Sequence, residues 1–240
     1  MPIAAIARTL GVSRAAVRDW VGQDLQLLIA KRAFVHDLPL GAPCSACPVR
    51  RDVPPAIYAY LLGLYLGDGC LSLAPRGVYK LRIMCCDAYP HLMARCRVAM
   101  ATVMPASKVG LIQRPGCTEV YSNSKHWICL FPQHGRGRKH ERTIELAEWQ
   151  RAIVERHPRH FLSGLIHSDG CRVINRVKVR GRWYAYPRYF FKNESCDILE
   201  LFADACDLVG VAWRYNRYNS ISVARRESVE LLDLFVGPKT

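Results

Sequence analysis

The chain has 240 residues, half of them apolar and 22% charged, so it can bury a real core and is not globally disordered. No run approaches the roughly 18 uninterrupted apolar residues of a membrane helix, and Arg8 at once breaks the apolar patch at residues 3–7, against a signal peptide. Thirty-four Lys and Arg against twenty Asp and Glu give a net charge of +14. That balance points to a polyanion, most simply nucleic acid, and to a cytoplasmic, DNA-associated protein.

In chain order, residues 3–20 (IAAIARTLGVSRAAVRDW) place Ala7, Gly11 and Val17 at helix-turn-helix spacing. Gly11 permits the tight turn, Ser13 caps the second helix, and Arg14 and Arg18 face a DNA groove. The segment resembles the helix-turn-helix of resolvases and small bacterial regulators, and is expected over residues 1–36 with a supporting helix from residues 24–34. Residues 37–54, rich in Pro, read as a linker. They carry Cys44-x2-Cys47, half of a four-ligand zinc site, but no second Cys-x2-Cys follows and only His36 is near enough to add a ligand. The preferred reading of all eleven cysteines is reduced thiols packed as small hydrophobes.

An internal repeat organises the rest. YLLGLYLGDGC at 60–70 recurs as FLSGLIHSDGC at 161–171, with six of eleven positions identical at an offset of 101. Cys86-Asp87 with Cys96 mirrors Cys196-Asp197 with Cys206 at an offset of 110, and VYSNSK at 120–125 lies opposite ISVARR at 221–226, again at 101. The drift predicts a longer first hairpin in the second copy and a longer second hairpin in the first. Each copy reads as helix, two strands, helix, two strands, helix, an α+β domain, with units expected over 55–157 and 158–240. In the first copy Pro54 and Pro55 open a helix that Gly69 closes, and strands run to Cys86. A helix is expected over 89–104, strands over 108–121 and a bridging helix over 144–156. The second copy runs through strands at 172–192, a helix at 194–209, strands at 212–225 and a helix at 227–235.

The positive charge is segregated. Residues 171–192 hold seven bases (Arg172, Arg176, Lys178, Arg180, Arg182, Arg188, Lys192) and no acid. Alternation from Arg176 to Arg180 predicts a strand with one cationic and one apolar face, and Lys80 and Arg82 repeat the device. Arg214, Arg217, Arg225 and Arg226 fill a third acid-free stretch, whereas Glu194, Asp197, Glu200, Asp204 and Asp207 share a base-free helix. Basic sheets lying on a phosphate backbone follow from this pattern.

Gly63 and Gly164 precede the terminal Asp of each repeated block by one and a half turns, so the two helices can meet backbone to backbone. Asp68 and Asp169 would then lie side by side at two negative helix ends, an arrangement that a divalent cation such as Mg²⁺ makes favourable.

The two blocks resemble the LAGLIDADG motif of homing endonucleases in the single-chain, two-motif form, whose unit is αββαββα. GRKHERTIE at 137–145, running into the second block, resembles the approach to the second motif in archaeal and intein-associated members. The likeness covers about residues 55–240. It implies two saddle-like antiparallel sheets and a monomer by internal duplication. It also implies metal-binding catalytic acids at Asp68 and Asp169, with Leu66 and His167 where the family often has another Asp. A strand-borne lysine near each active centre is implied at Lys125, with Arg226 as its counterpart suited to phosphate. Metal-assisted phosphodiester hydrolysis of double-stranded DNA is the expected activity. The expected DNA contacts are Arg14, Arg18, Lys80, Arg82, Arg172, Arg176, Lys178, Arg180, Arg188, Arg214, Arg217 and Arg226. A regulator that keeps the scaffold without cutting is the alternative, and an RNA maturase a third reading. An intein is disfavoured, because the chain lacks a splicing Cys or Ser start and a His-Asn end.

Overall fold

In the computed structural model, residues 43–237 are described, and the helix-turn-helix expected over 1–36, with Arg14, Arg18 and His36, lies outside them. A five-residue helix α1 (Pro48–Asp52) leads into α2 (Pro55–Asp68). Strands β1 (Gly69–Ala74) and β2 (Val78–Cys86) follow, then α3 (Pro90–Val103), β3 (Val109–Arg114) and β4 (Cys117–Ser124). The short α4 (Trp127–Leu130) and a long loop lead to α5 (Glu148–Arg156). The second unit repeats the order: α6 (Pro158–Asp169), β5 (Gly170–Val179), β6 (Arg182–Lys192), α7 (Cys196–Leu208), β7 (Arg214–Arg217), β8 (Ser220–Val223) and α8 (Arg226–Val236).

The two sheets have the same topology, β1-β2-β4-β3 and β5-β6-β8-β7, all antiparallel. The expected length exchange is present: the first hairpin is longer in the second unit and the second hairpin is longer in the first. The helix expected over 144–156 begins only at Glu148, because Ile144 is held extended by its N–H donating to Asp197 Oδ2 at 2.6 Å while its side chain is buried. Two short elements, α1 and α4, were not foreseen: four or five residues carry too little periodicity to announce a helix.

Helix α2 is buried continuously from Tyr58 to Leu66, so it has no solvent face and forms the centre of the molecule with α6. The crossing depends on glycine. A Cβ at Gly63 would lie 2.5 Å from the Phe161 carbonyl oxygen, and one at Gly164 would lie 2.2 Å from that of Tyr60. Immediately after each helix the strand folds back so tightly that a Cβ at Gly69 or Gly170 would come within 2.7 Å of a Cα in the preceding turn. The glycine of the repeated Asp-Gly is therefore a steric requirement of the helix-to-strand corner, and the preceding Asp falls at the end of each helix.

Candidate functional site

The last turns of α2 and α6 touch. A Cβ at Gly67 would sit 2.1 Å from Ser168 Oγ and 3.0 Å from Asp169 Oδ2, which puts the second motif's carboxylate against the residue that precedes Asp68. Asn193, just past β6, donates to Asp169 Oδ2 at 2.7 Å and so fixes that carboxylate's rotamer. Asp169 lines a cleft of about 570 Å³ with Lys139, Arg142, His134 and Lys192, while Asp68 faces a pocket of about 90 Å³ with Tyr89, His167 and Ser168. The two acids thus flank one helix-end junction, each lining its own pocket. His167, standing where a further acid was conceivable, is buried: its Nε2 meets the Val236 carbonyl at 2.8 Å and its Nδ1 the Tyr60 hydroxyl at 3.1 Å. A carbonyl can only accept, so Nε2 carries the proton and Nδ1 accepts from Tyr60. That histidine ties α6 to α8 and α2.

The cation at this junction is Lys139, which the sequence reading passed over. It sits in a 3₁₀ turn (Lys139–Glu141) of the loop between α4 and α5. Its ammonium donates to the carbonyls of Tyr65, Leu66 and Gly67, with Leu66 and Gly67 each at 2.9 Å, and so caps the negative end of α2. Burial pushes this ammonium down to about 8, against the opposing pull of Asp169, Cys70 and Asp68. Arg142 staples the loop in place by donating to the carbonyls of Gln133 and Gly137. The loop brings the lysine in from 72 to 74 residues away in sequence, within the GRKHERTIE stretch that resembles the approach to the second motif.

Lys125 is elsewhere. The first sheet's register aligns Gly69 with Ile83 and Val120, whereas Ser124 pairs with Tyr79. Lys125, one residue beyond Ser124, is therefore five rows from the strand start beside Asp68, about 17 Å at 3.3 Å per row. It is exposed in the turn before α4. Arg226 occupies the corresponding place after β8 and pairs with Glu230 at 2.8 Å, one helical turn on.

The basic residues separate by face. In the first sheet Tyr79, Leu81 and Ile83 are buried while Lys80 and Arg82 take the opposite face. Lys80 pairs with buried Glu119 at 2.6 Å and lies over the Tyr121 ring. Burial pushes the Glu119 carboxyl up, but Lys80, Arg114 and Arg82 outweigh it and hold the group below its usual range. In the second sheet Tyr189, Phe191, Ile221 and Val223 are buried. By register Arg188 and Arg214 take the other, open face, and Arg217 continues that row past a bulge. Arg172 turns toward the helices instead, in a bidentate pair with Asp233 of α8 at 2.8 Å on both arms. Arg176 and Lys178 share the parity of Tyr189. They are exposed because the β5–β6 hairpin outruns β8, which pairs only with residues 189–192 of β6. Val177, on the other side of the same stretch, is 37% exposed as well, so the one-sided strand expected there is a free-standing ribbon with Arg180 at its tip. Lys178 lies over Trp183, itself 68% exposed, and Tyr184 stacks on Tyr186.

No family model and no curated protein matches this sequence. Solved structures do share its fold, namely those of the homing endonuclease I-DmoI. The structure of I-DmoI in complex with DNA and manganese is similar over 77% of this chain and 98% of its own, at 16% identity and a TM-score of 0.53. A structure of mesophilic I-DmoI variants matches 77% of this chain and 97% of its own at 19% identity and 0.52. A variant with its target DNA in the presence of magnesium matches 76% and 96% at 18% identity and 0.52. The chain therefore has the two-unit fold of the LAGLIDADG homing endonucleases. Among the described residues no helix is long and apolar enough to cross a membrane.

Proposed function

We propose that this protein is a site-specific double-stranded DNA endonuclease that hydrolyses phosphodiester bonds with the help of a divalent cation. One observation carries the reading: Asp68 and Asp169 end two helices whose last turns touch, with a half-buried lysine on the same turn. Two carboxylates at two negative helix ends form an oxygen-only, anionic donor set, which fits a hard cation such as Mg²⁺. Asp68 and Asp169 would hold it, and the bound ion would supply charge stabilisation at the reacting phosphate. Asn193 keeps Asp169 oriented. Lys139, its three N–H groups given to the carbonyls at the end of α2, offsets the negative charge of that helix end and contributes positive potential beside the cleft. The open sheet faces bearing Lys80, Arg82, Arg188, Arg214 and Arg217, with the β5–β6 ribbon carrying Arg176, Lys178 and Arg180, would follow the DNA backbone and grooves. I-DmoI, which shares the fold, is in complex with DNA and manganese in one of those structures.

The expected result is Mg²⁺-dependent cut ends recovered from a randomised duplex library, none with Ca²⁺ alone, and none from Asp68→Asn or Asp169→Asn. Sequence-selective retention without cutting would overturn the enzyme. It would support instead a regulator on this scaffold, the reading that the helix-turn-helix spacing of residues 3–20 favours.

A further inference from the structure

Away from the helix-end junction, four side chains from two distant stretches converge. Cys44 and Cys47 precede and cap α1, and His126 and Cys129 cap and enter α4, some 80 residues later. Their ligand atoms all lie within 4.8 Å of one another. His126 Nδ1 is 3.8 Å from Cys44 Sγ, 3.4 Å from Cys47 Sγ and 3.9 Å from Cys129 Sγ.

We propose that Cys44, Cys47, His126 and Cys129 form a structural zinc site. A tetrahedral ion with Zn–S near 2.3 Å and Zn–N near 2.0–2.1 Å sets its sulfur and nitrogen ligands about 3.6 Å apart and its sulfurs about 3.8 Å apart. The three sulfur–nitrogen separations bracket the first value. A disulfide explains the cluster less well, since it uses two thiols and leaves a third thiol and the imidazole in place. A multi-iron cluster, whose usual ligands are four thiolates spread around a larger core, does not fit so small a cage. The donor set, three soft sulfurs and one imidazole, selects zinc over the hard cations suited to Asp68 and Asp169. Cys44 N–H donates to Cys129 Sγ at 3.4 Å, a direct contact between the two stretches.

The site also answers a structural need. Helices α1 and α4, of five and four residues, are far below the length that holds together unaided, and neither has a side-chain N-cap bond. An ion joining them would clamp the segment entering α2 onto the first unit, beside the buried Trp127, Leu130 and Phe131. Cys47 and Cys129 are buried, whereas Cys44 is exposed and gives the ion a way in. The half-motif Cys44-x2-Cys47 thus finds its partner in His126-x2-Cys129, a mixed pair that a search for a second Cys-x2-Cys misses.

The test uses the full chain, purified reduced and without chelator. Elemental analysis should find about one zinc per chain, released when a mercurial titrates the thiols. Cys47→Ser and Cys129→Ser should each lose the metal and lower Tm by more than about 5 °C. Cys86→Ser and Cys196→Ser, at exposed thiols outside the cluster, should keep it. If the serine variants do not fold, His126→Cys decides: it should retain one zinc, and its cobalt form should show tetrahedral d–d bands with stronger sulfur-to-cobalt charge transfer than the parent. Less than about a tenth of an equivalent of zinc after zinc-supplemented refolding would overturn the site, as would a mapped disulfide within the cluster. Neither result bears on DNA cleavage.

Discussion

The two units share one topology but divide their chemistry unequally. The first carries Lys139 on the end of its central helix, pairs Lys80 with a buried acid and gathers the Cys-His cluster. The second puts an asparagine, Asn193, on its motif acid, pairs Arg172 beneath the sheet, and extends a ribbon of exposed cations and aromatics. Both copies keep what geometry demands, the glycines at the crossing and at the helix-to-strand corner. Positions free of that demand diverged. Under the proposed function, charge management at the helix ends sits with the first unit and much of the grip on DNA with the second.

The sharpest way to break that division is at the lysine. Lys139→Met should lower the cleavage rate by about 10²–10³-fold, the scale of one positioned electrostatic group, with DNA affinity nearly unchanged. Lys125→Ala should leave single-turnover cleavage near that of the parent. Equal losses from both would mean that the sheet-end lysine acts at the centre after all. Where the copies are alike, they should respond alike. Gly63→Ala and Gly164→Ala each drive a methyl into a facing carbonyl and should each cost roughly 2–3 kcal/mol in chemical denaturation. A tolerated substitution in one copy alone would show that the crossing is less symmetric than its contacts.

The parts that could be read from the sequence are those set by short-range periodicity. Among the described residues, the six longer helices, the eight strands and the exchange of hairpin lengths follow from apolar spacing, proline and glycine punctuation, and the offset between repeats. The crossing glycines and the motif acids were legible because the repeat marked them twice. Lys139 was not, since a loop delivers it and nothing in its spacing says which helix end it reaches. Lys125 was implied by the family resemblance, yet register, a property of strand pairing, decides how far along the sheet that position falls. Arg172 was counted among the DNA contacts by composition, and only the placement of Asp233 on α8 shows where its guanidinium turns. The Cys-His cluster was half visible, because its two pairs are brought together by tertiary packing alone.

The Arg172–Asp233 pair offers a smaller effect. The Arg172 guanidinium beside Asp233 holds the carboxyl below its usual range, and the Tyr189 hydroxyl donates to it at 2.6 Å. Because the folded-state value is depressed, the stabilisation is fully present above about pH 4, the ordinary aspartate value, and fades as the pH falls through the folded-state value. Asp233→Asn should cost about 1 kcal/mol at neutral pH, screening included, for a pair one-third exposed. The gap from the parent should close in acid. A gap that persists below pH 3 would mean that Asp233 works by shape rather than charge.

The finest discrimination concerns the ribbon. If Arg176 and Lys178 each neutralise one DNA phosphate, replacing both with Gln should reduce the slope of log affinity against log salt by about 1–2. The same change at Arg172 should leave the slope unaltered, since its charge is already satisfied by Asp233. Arg188→Gln and Arg214→Gln, on the open face, test whether the sheet or the ribbon carries more of the phosphate contact. A slope that moves with the open-face pair and not with the ribbon would place the DNA across the saddle alone and leave the exposed Trp183 and the Tyr184–Tyr186 stack without that role.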